Sequence, residues 1–479
     1  MVFSSIEFLW FFMPAVLVLY ALTPPGARNA LLATASVVFY AWGAHAVVYV
    51  FLISVGLNYS AGRAIEHYRT RDRDRAARIV MIAAIAVDLG FLFVWKYTVF
   101  AATQLDRVLG GLGHPHAIAI PSITLPIGIS FFTFHAISYV VDTARGVSPP
   151  MRRLQDFAQY MAFFPQLIAG PIVRYHQIDA QIRHPPPRSQ RLWDFADGFP
   201  RFAWGLSKKV LVADQVGRIA DAAFANTHGL GTSGAWLGAL AYTVQIYFDF
   251  SGYSDMALGM ARMFGFRFPE NFNRPYSSLS ITDFWRRWHM TLSGWFRDYV
   301  YVPLGGNRGT LRRTARNLLF VFLLTGLWHG AAWTFVLWGL YHGVIIVLER
   351  LTGYARLPED RLVAPRRALA LLLVILGWVL FRAHTLGDAG RVYAAMLPWH
   401  FHGLPATVHT AVTRQTISAL AIGIVTVLLP RGLVVGRLVS DAGWSLTPLL
   451  ARAAVLVPLP LAAIYVAAGS FSPFLYFRF

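Results

Sequence analysis

Cysteine is absent from the 479 residues. That excludes disulfides, thiolate metal sites, Cys nucleophiles and S-palmitoylation. Any nucleophile or base must be His, Ser, Thr, Tyr, Asp, Glu or Lys. Charge is scarce too: Asp, Glu, Lys and Arg supply 14% of the chain, against about 25% in an ordinary globular domain. Lysine is nearly missing. Lys96, Lys208 and Lys209 are the only three, and the other 39 of the 42 basic residues are Arg. No internal repeat, low-complexity tract or separate soluble domain is visible. HExxH, P-loop and GxSxG motifs are lacking, as is any Cys/His ligand spacing, so no metal is expected.

What remains is apolar. Hydrophobic residues make up 56% and the mean hydropathy is +0.50. The expected fold class is all-α, a polytopic membrane protein with one integral domain over 1–479. A spanning helix needs about 20 apolar residues. Candidate spans lie near 7–23, 29–42, 45–60, 79–103, 122–142, 195–213, 236–262, 366–383, 415–431 and 448–469, which makes about ten. The N-terminus lacks the basic region of a signal peptide, so the first run is expected to be a retained span. Two apolar regions, 157–172 and 281–349, are interrupted by Pro, Gly, Arg and His. They are expected to be re-entrant, or buried in protein, because lipid does not tolerate unpaired backbone.

The net charge of +19 is spread in patches. Residues 63–78 hold six Arg, and 350–367 hold five. By contrast 104–121 has only Arg107, and 214–235 only Arg218. Basic loops face the cytoplasm. Ten crossings then leave both termini outside a bacterial inner (cytoplasmic) membrane. Basic loops can also hold a phosphorylated substrate or anionic membrane lipids. No nucleic acid partner is expected, since the Arg residues form no tail or stripe.

Ionisable residues inside a membrane are costly and therefore point to function. The densest set lies between 245 and 345. Asp249 and Asp255 sit six residues apart in an aromatic helix, either as a polar network joining helices or as a channel wall supporting a catalytic group. Arg286 and Arg287 stand between Trp285 and Trp288 and precede His289. The Trp residues fit an interface belt; the planar Arg forks also suit phosphates. His329, after Trp328, stands alone among small and apolar residues. It is either a bonded structural group or a neutral imidazole that serves as general base. His135 and His342 lie in aromatic helical runs and read as structural. Lys208 and Lys209 are expected to snorkel to the cytoplasmic interface.

Taken together, WRRWH at 285–289 and GLWHG at 326–330 place His289 and His329 40 residues apart. This pattern resembles the membrane-bound O-acyltransferase family, whose two signature polar positions are an Asn, Asp or His and then a His in an apolar stretch. Supporting motifs run almost end to end: LPIGISFFTFHAISYVVD at 125–142, FFPQLIAGPIVR at 163–174, YFDFSGYSDMA at 247–257, ENFNRPY at 270–276 and WFRDYVYVPLGGNR at 295–308. Only about 350–470 matches loosely. Within the family the chain is most similar to the branch that O-acetylates alginate, and similar also to the branch that D-alanylates teichoic acid.

The resemblance implies an enzyme, an O-acetyltransferase, with helices around a central tunnel and a catalytic region over 281–349. It implies acetyl transfer from cytoplasmic acetyl-CoA, as donor substrate and not as a resident cofactor, to an extracytoplasmic polysaccharide. His329 is the expected base and His289 is expected to orient the thioester or stabilise its oxyanion. An aromatic carrier motif at 471–479 would present Tyr476 as the acyl carrier on the outer face; without the resemblance Tyr476 reads as an interface anchor. Arg286, Arg287, Arg297, Arg308, Arg312 and Arg313 are expected at the CoA phosphates, or as plain cytoplasmic charge. A periplasmic hydrolase-like acetyltransferase of the SGNH type is the expected partner. Competing readings are transfer of D-alanine or another acyl group, transfer to a lipid or protein, and a polysaccharide export subunit.

Overall fold

The computed structural model describes residues 2–44, 47–114, 116–398, 403–429, 446–469 and 474–475, and every regular element in them is helical. Four helices are long and apolar enough to cross a membrane: Val48–Arg69, Asp74–Gly111, Trp333–Leu351 and Val363–Arg382. Glu7–Leu22, Arg414–Leu428 and Arg452–Ala467 are shorter apolar helices. Helix occupies part or all of each of the ten expected spans, but length and apolar character together qualify only four among the described residues. Thr232–Met263 shows why. It runs 32 residues, yet it carries Gln245, Asp249 and Asp255, and nearly every residue from Ala241 to Met260 is buried. A helix covered all round belongs to a protein core.

The chain forms two compact units: Met1–Phe195 with Ala261–Pro269, and Ala196–Met260 with Glu270–Phe479. In the first, Val48–Arg69 packs on Asp74–Leu92 and on Ile129–Arg145, and Arg28–Ala44 packs on Leu154–Ala162. The expected interruption at 157–172 is real. Helix stops at Ala162, one short turn spans Phe164–Leu167, and the backbone then runs non-helical to Arg174, buried throughout up to Val173. Side chains satisfy this backbone. Ser36 accepts from the Phe164 N–H at 3.1 Å, Gln166 donates to the Tyr160 carbonyl at 2.6 Å, and the Tyr160 hydroxyl donates to the Val173 carbonyl at 3.2 Å. Irregular backbone survives in a membrane protein on this condition.

In the second unit the region 281–349 contains two short helices, Ile281–Trp285 and Met290–Phe296, followed by a helical hairpin, Leu311–His329 and Trp333–Leu351. Thr310 caps the first arm, its hydroxyl accepting from the Arg313 N–H. The arms touch through glycine. A Cβ on Gly326 would lie 2.3 Å from the Phe335 carbonyl oxygen, and one on Gly339 the same distance from that of Phe322. Small residues let two backbones meet where there is no hydrophobic drive between helices in lipid. Behind the hairpin lies an aromatic core of Phe284, Trp285, Trp288, Trp338, Trp378 and Phe381. Trp285 and Trp288 are therefore buried core residues, not an interface belt.

Candidate active site

His329 ends the first arm of the hairpin, and Gly330 breaks the helix after it. Its ring is held edge-on by Trp338 at 5.0 Å, by Phe381 at 5.1 Å and by Trp328 at 4.9 Å. The turn is tight: a Cβ on Gly330 would strike the Phe335 ring at 2.2 Å. The C-terminal end of a helix carries partial negative charge, which favours an imidazolium formed by accepting a proton.

His289 sits at the start of Met290–Phe296 with φ +43°, in the left-handed region. Such strain in a non-glycine residue costs of order 1–3 kcal/mol and concentrates at functional sites. It is held by Asn271, whose Oδ1 lies 3.0 Å from Nδ1 of the imidazole. The same oxygen accepts from the Thr291 backbone N–H at 3.4 Å, and the Asn271 amide nitrogen donates to Ser254 at 3.0 Å. A backbone N–H only donates, so the amide oxygen faces this side and His289 Nδ1 carries the proton. Nε2 is then a lone-pair acceptor, with no hydrogen-bond partner among the described residues. Burial pushes the His289 pKa down, so the ring stays neutral. A neutral ring of this tautomer accepts at Nε2 and has no proton there to give an oxyanion. Trp328 joins the two histidines, its ring 6.0 Å from that of His289. Asn271 escaped sequence reasoning; its only signal was its place in ENFNRPY.

The two carboxylates of the long helix differ in role. Asp255 is locked by Arg201 at 2.9 Å and Lys208 at 2.8 Å, and Arg201 also binds Glu270 at 2.6 Å. This is the helix-joining network. Asp249 binds Lys209 at 2.9 Å and accepts from the Leu475 backbone N–H at 3.1 Å. Both lysines are thus buried ion-pair partners and do not snorkel. A cavity of about 20 Å³, room for about one water, is lined by Asp249, Phe250, Trp288, His329 and Leu475 among others. Tyr476 lies outside the described residues, as does most of the 471–479 motif.

A second cavity, of about 640 Å³, brings together Arg286, Arg297, Arg308, Arg350 and Arg356. Three of the six expected arginines line it. Arg287 instead pairs with Asp283 at 2.8 Å. Arg312 and Arg313 are not among the lining residues, and Arg313 reaches toward the Leu304 carbonyl at 3.4 Å. Arg350 and Arg356 were missed because their stretch reads as topology charge. Glu349 also lines the cavity and clamps one wall. Its carboxylate accepts from the Ile281 N–H at 2.6 Å, the Thr282 N–H at 2.8 Å and the Thr282 hydroxyl at 2.6 Å. These bonds fix the short helix whose end carries Arg286. Asn317 donates to the Leu304 and Gly306 carbonyls, both at 3.2 Å, and so holds the Gly305–Gly306 turn that lines the cavity.

Arginines in an open cavity and two histidines in an aromatic enclosure suit a polyanionic donor and a proton transfer. The relatives of this chain are named for acyl transfer. The sequence profile of the membrane-bound O-acyltransferase family matches residues 38–381. The chain is 43% identical, over the whole of both chains, to a protein of Azotobacter vinelandii named probable alginate O-acetylase AlgI. It is 34% identical to the peptidoglycan O-acetyltransferase of Helicobacter pylori, over 83% of this chain and 80% of that one. It is 31% identical to the teichoic acid D-alanyltransferase of Bacillus subtilis, over 50% of this chain and 63% of that one. The profile match covers the Arg cavity, both histidines and the hairpin that carries His329, and the chain belongs to the membrane-bound O-acyltransferase family.

Proposed function

We propose that the protein takes acetyl from cytoplasmic acetyl-CoA and passes it across the membrane for O-acetylation of an extracytoplasmic polysaccharide. One observation carries the reading: Leu475, the residue before Tyr476, lines the same small cavity as His329. Polysaccharide acetylation is favoured over D-alanyl transfer because the likeness to acetylases extends over whole chains and that to the D-alanyltransferase over half.

CoA is polyanionic and does not cross a bilayer, so only the acyl group travels. The phosphates bind in the Arg cavity on the cytoplasmic side, and the thioester arm reaches inward. His289 Nε2 orients that arm by accepting from one of its amide N–H groups. His329 takes the proton of the Tyr476 hydroxyl. The phenolate oxygen attacks the acetyl carbonyl, the C–O bond forms and the C–S bond breaks. The imidazolium then returns its proton to the departing thiolate, giving free CoA and an acetyl-Tyr ester. A free Tyr has a pKa of about 10, so it needs this help at neutral pH. On the outer side a periplasmic hydrolase-like acetyltransferase carries the acetyl on to a sugar hydroxyl.

The test is to incubate purified protein with labelled acetyl-CoA and map the ester by mass spectrometry. Label on Tyr476 is expected. Absence of any protein ester, with CoA bound, would point to direct transfer instead.

The arginines give a separate expectation. Replacing Arg286 and Arg350 together by Gln raises KM for acetyl-CoA at least tenfold and leaves kcat nearly unchanged. A charged hydrogen bond contributes about 1.5–3 kcal/mol, and these contacts form equally in ground and transition states. Initial-rate kinetics at two salt concentrations check it; an unchanged KM returns both residues to topology.

A further inference from the structure

A buried charge pair that the acyl chemistry does not consume meets the end of the chain. Asp249 divides its two oxygens: Oδ1 takes Lys209 Nζ at 2.9 Å, and Oδ2 takes the Leu475 N–H at 3.1 Å. Lys209 also binds Asp214 at 2.5 Å. The same ammonium lies 4.9 Å from the centroid of the Phe474 ring, which Tyr253 meets edge-on at 4.2 Å. Lys209, Asp249 and Phe474 are each no more than 2% exposed.

A buried ion pair is a weak source of stability, since apolar residues of similar volume hold helices as well or better. Its value here is geometric. The acceptor of the Leu475 N–H is fixed by an ammonium that is itself fixed by a second carboxylate. A backbone N–H has no side-chain identity, so this contact reads where the chain lies rather than which residue is there. Phe474 supplies the complementary reading by its ring.

We infer that Asp249 and Lys209 are positioning residues, a latch that sets the register of the chain at Phe474–Leu475, beside the cavity lined by His329. Register matters because one residue advances the chain by about 3.8 Å, while reacting groups must stand within about 3–3.5 Å. A slip of one position therefore takes a hydroxyl out of reach of its base. The inference rests on the carrier reading above, but the latch is measurable without any acyl transfer.

The absence of cysteine provides a clean background. Leu475→Cys keeps the backbone N–H and places one thiol where the side chain is buried. Solubilised full-length protein is treated with a maleimide and the labelling rate is followed by mass shift. Slow labelling is expected. Adding Asp249→Leu removes the acceptor but leaves Lys209 its Asp214 partner, and it should raise the rate at least tenfold in protein that elutes and melts like its parent. If that variant does not fold, Asp249→Asn, which keeps the shape but breaks the ion pair, should raise the rate at least threefold. Unchanged labelling in either folded variant overturns the latch. Labelling that follows these expectations in an enzyme that never carries acetyl on Tyr476 supports the latch and overturns the carrier reading alone.

Discussion

His329→Gln lowers acetyl transfer by roughly 10³-fold, within the range of about 10²–10⁴ that a positioned general base provides. In barrier terms that is about 4 kcal/mol. Gln approximates the length of the imidazole and still hydrogen-bonds, but it accepts no proton at neutral pH. KM for acetyl-CoA should stay near its parent value, because the arginines of the larger cavity are untouched and His329 is not among its lining residues. Initial rates with purified protein, with melting temperature as the folding control, measure the effect. The Ala variant is a poorer probe. It also strips the ring contacts with Trp338 and Phe381, and loss of a buried ring costs about 3–5 kcal/mol by analogy with Phe→Ala. A folded Gln variant with more than about a tenth of parental activity would remove His329 from the role of base, since that loss falls below what base catalysis is worth.

His329 stands out in the sequence because an ionisable group in an apolar run is costly and persists only where something uses it. The same run hides what Gly326 and Gly330 do. Small residues are visible as letters, but the Phe335 carbonyl and ring that demand them approach from the other arm of the hairpin. His289 is legible as an oddity among Arg and Trp. Its left-handed backbone and its Asn271 clamp are not, because the clamp comes from 18 residues earlier and no local pattern links the two. The aromatic residues mislead in a definite way. Trp285 and Trp288 beside Arg match the composition of an interface belt, and composition does not tell a headgroup from a Trp338–Trp378 wall. Lys208 and Lys209 mislead likewise, since Asp255 and Asp249, which pair with them, lie on a different helix about 40 positions or more away, and only Asp214, the second partner of Lys209, is close in sequence. Hydropathy finds helices well but counts spans poorly. It scores an apolar residue facing lipid and one facing protein alike, and Thr232–Met263 is mostly of the second kind.

Tyr476→Phe removes one oxygen and no aromatic area, so it separates two readings that the sequence leaves side by side. If Tyr476 carries the acetyl group, the phenol oxygen is the nucleophile and has no substitute. Polysaccharide acetylation should then fall at least as far as in His329→Gln, by roughly 10³-fold or more, and the protein ester should vanish. If the residue is an interface anchor, Phe serves nearly as well, and activity stays within about twofold, as expected for a surface substitution that disturbs no special feature. The surrounding contacts sharpen the contrast. Phe474 and Leu475 are already buried, with the Phe474 ring against Tyr253 and Lys209 and the Leu475 N–H on Asp249. An end held at Phe474 and Leu475 does not need position 476 as an anchor. Hydrolysis of acetyl-CoA by the Phe variant gives the deciding measurement. With the nucleophile gone and His329 intact, a water admitted to the cavity is the one remaining acceptor. Slow CoA release without any protein ester therefore confirms that base and donor still meet, and that only the carrier has been lost.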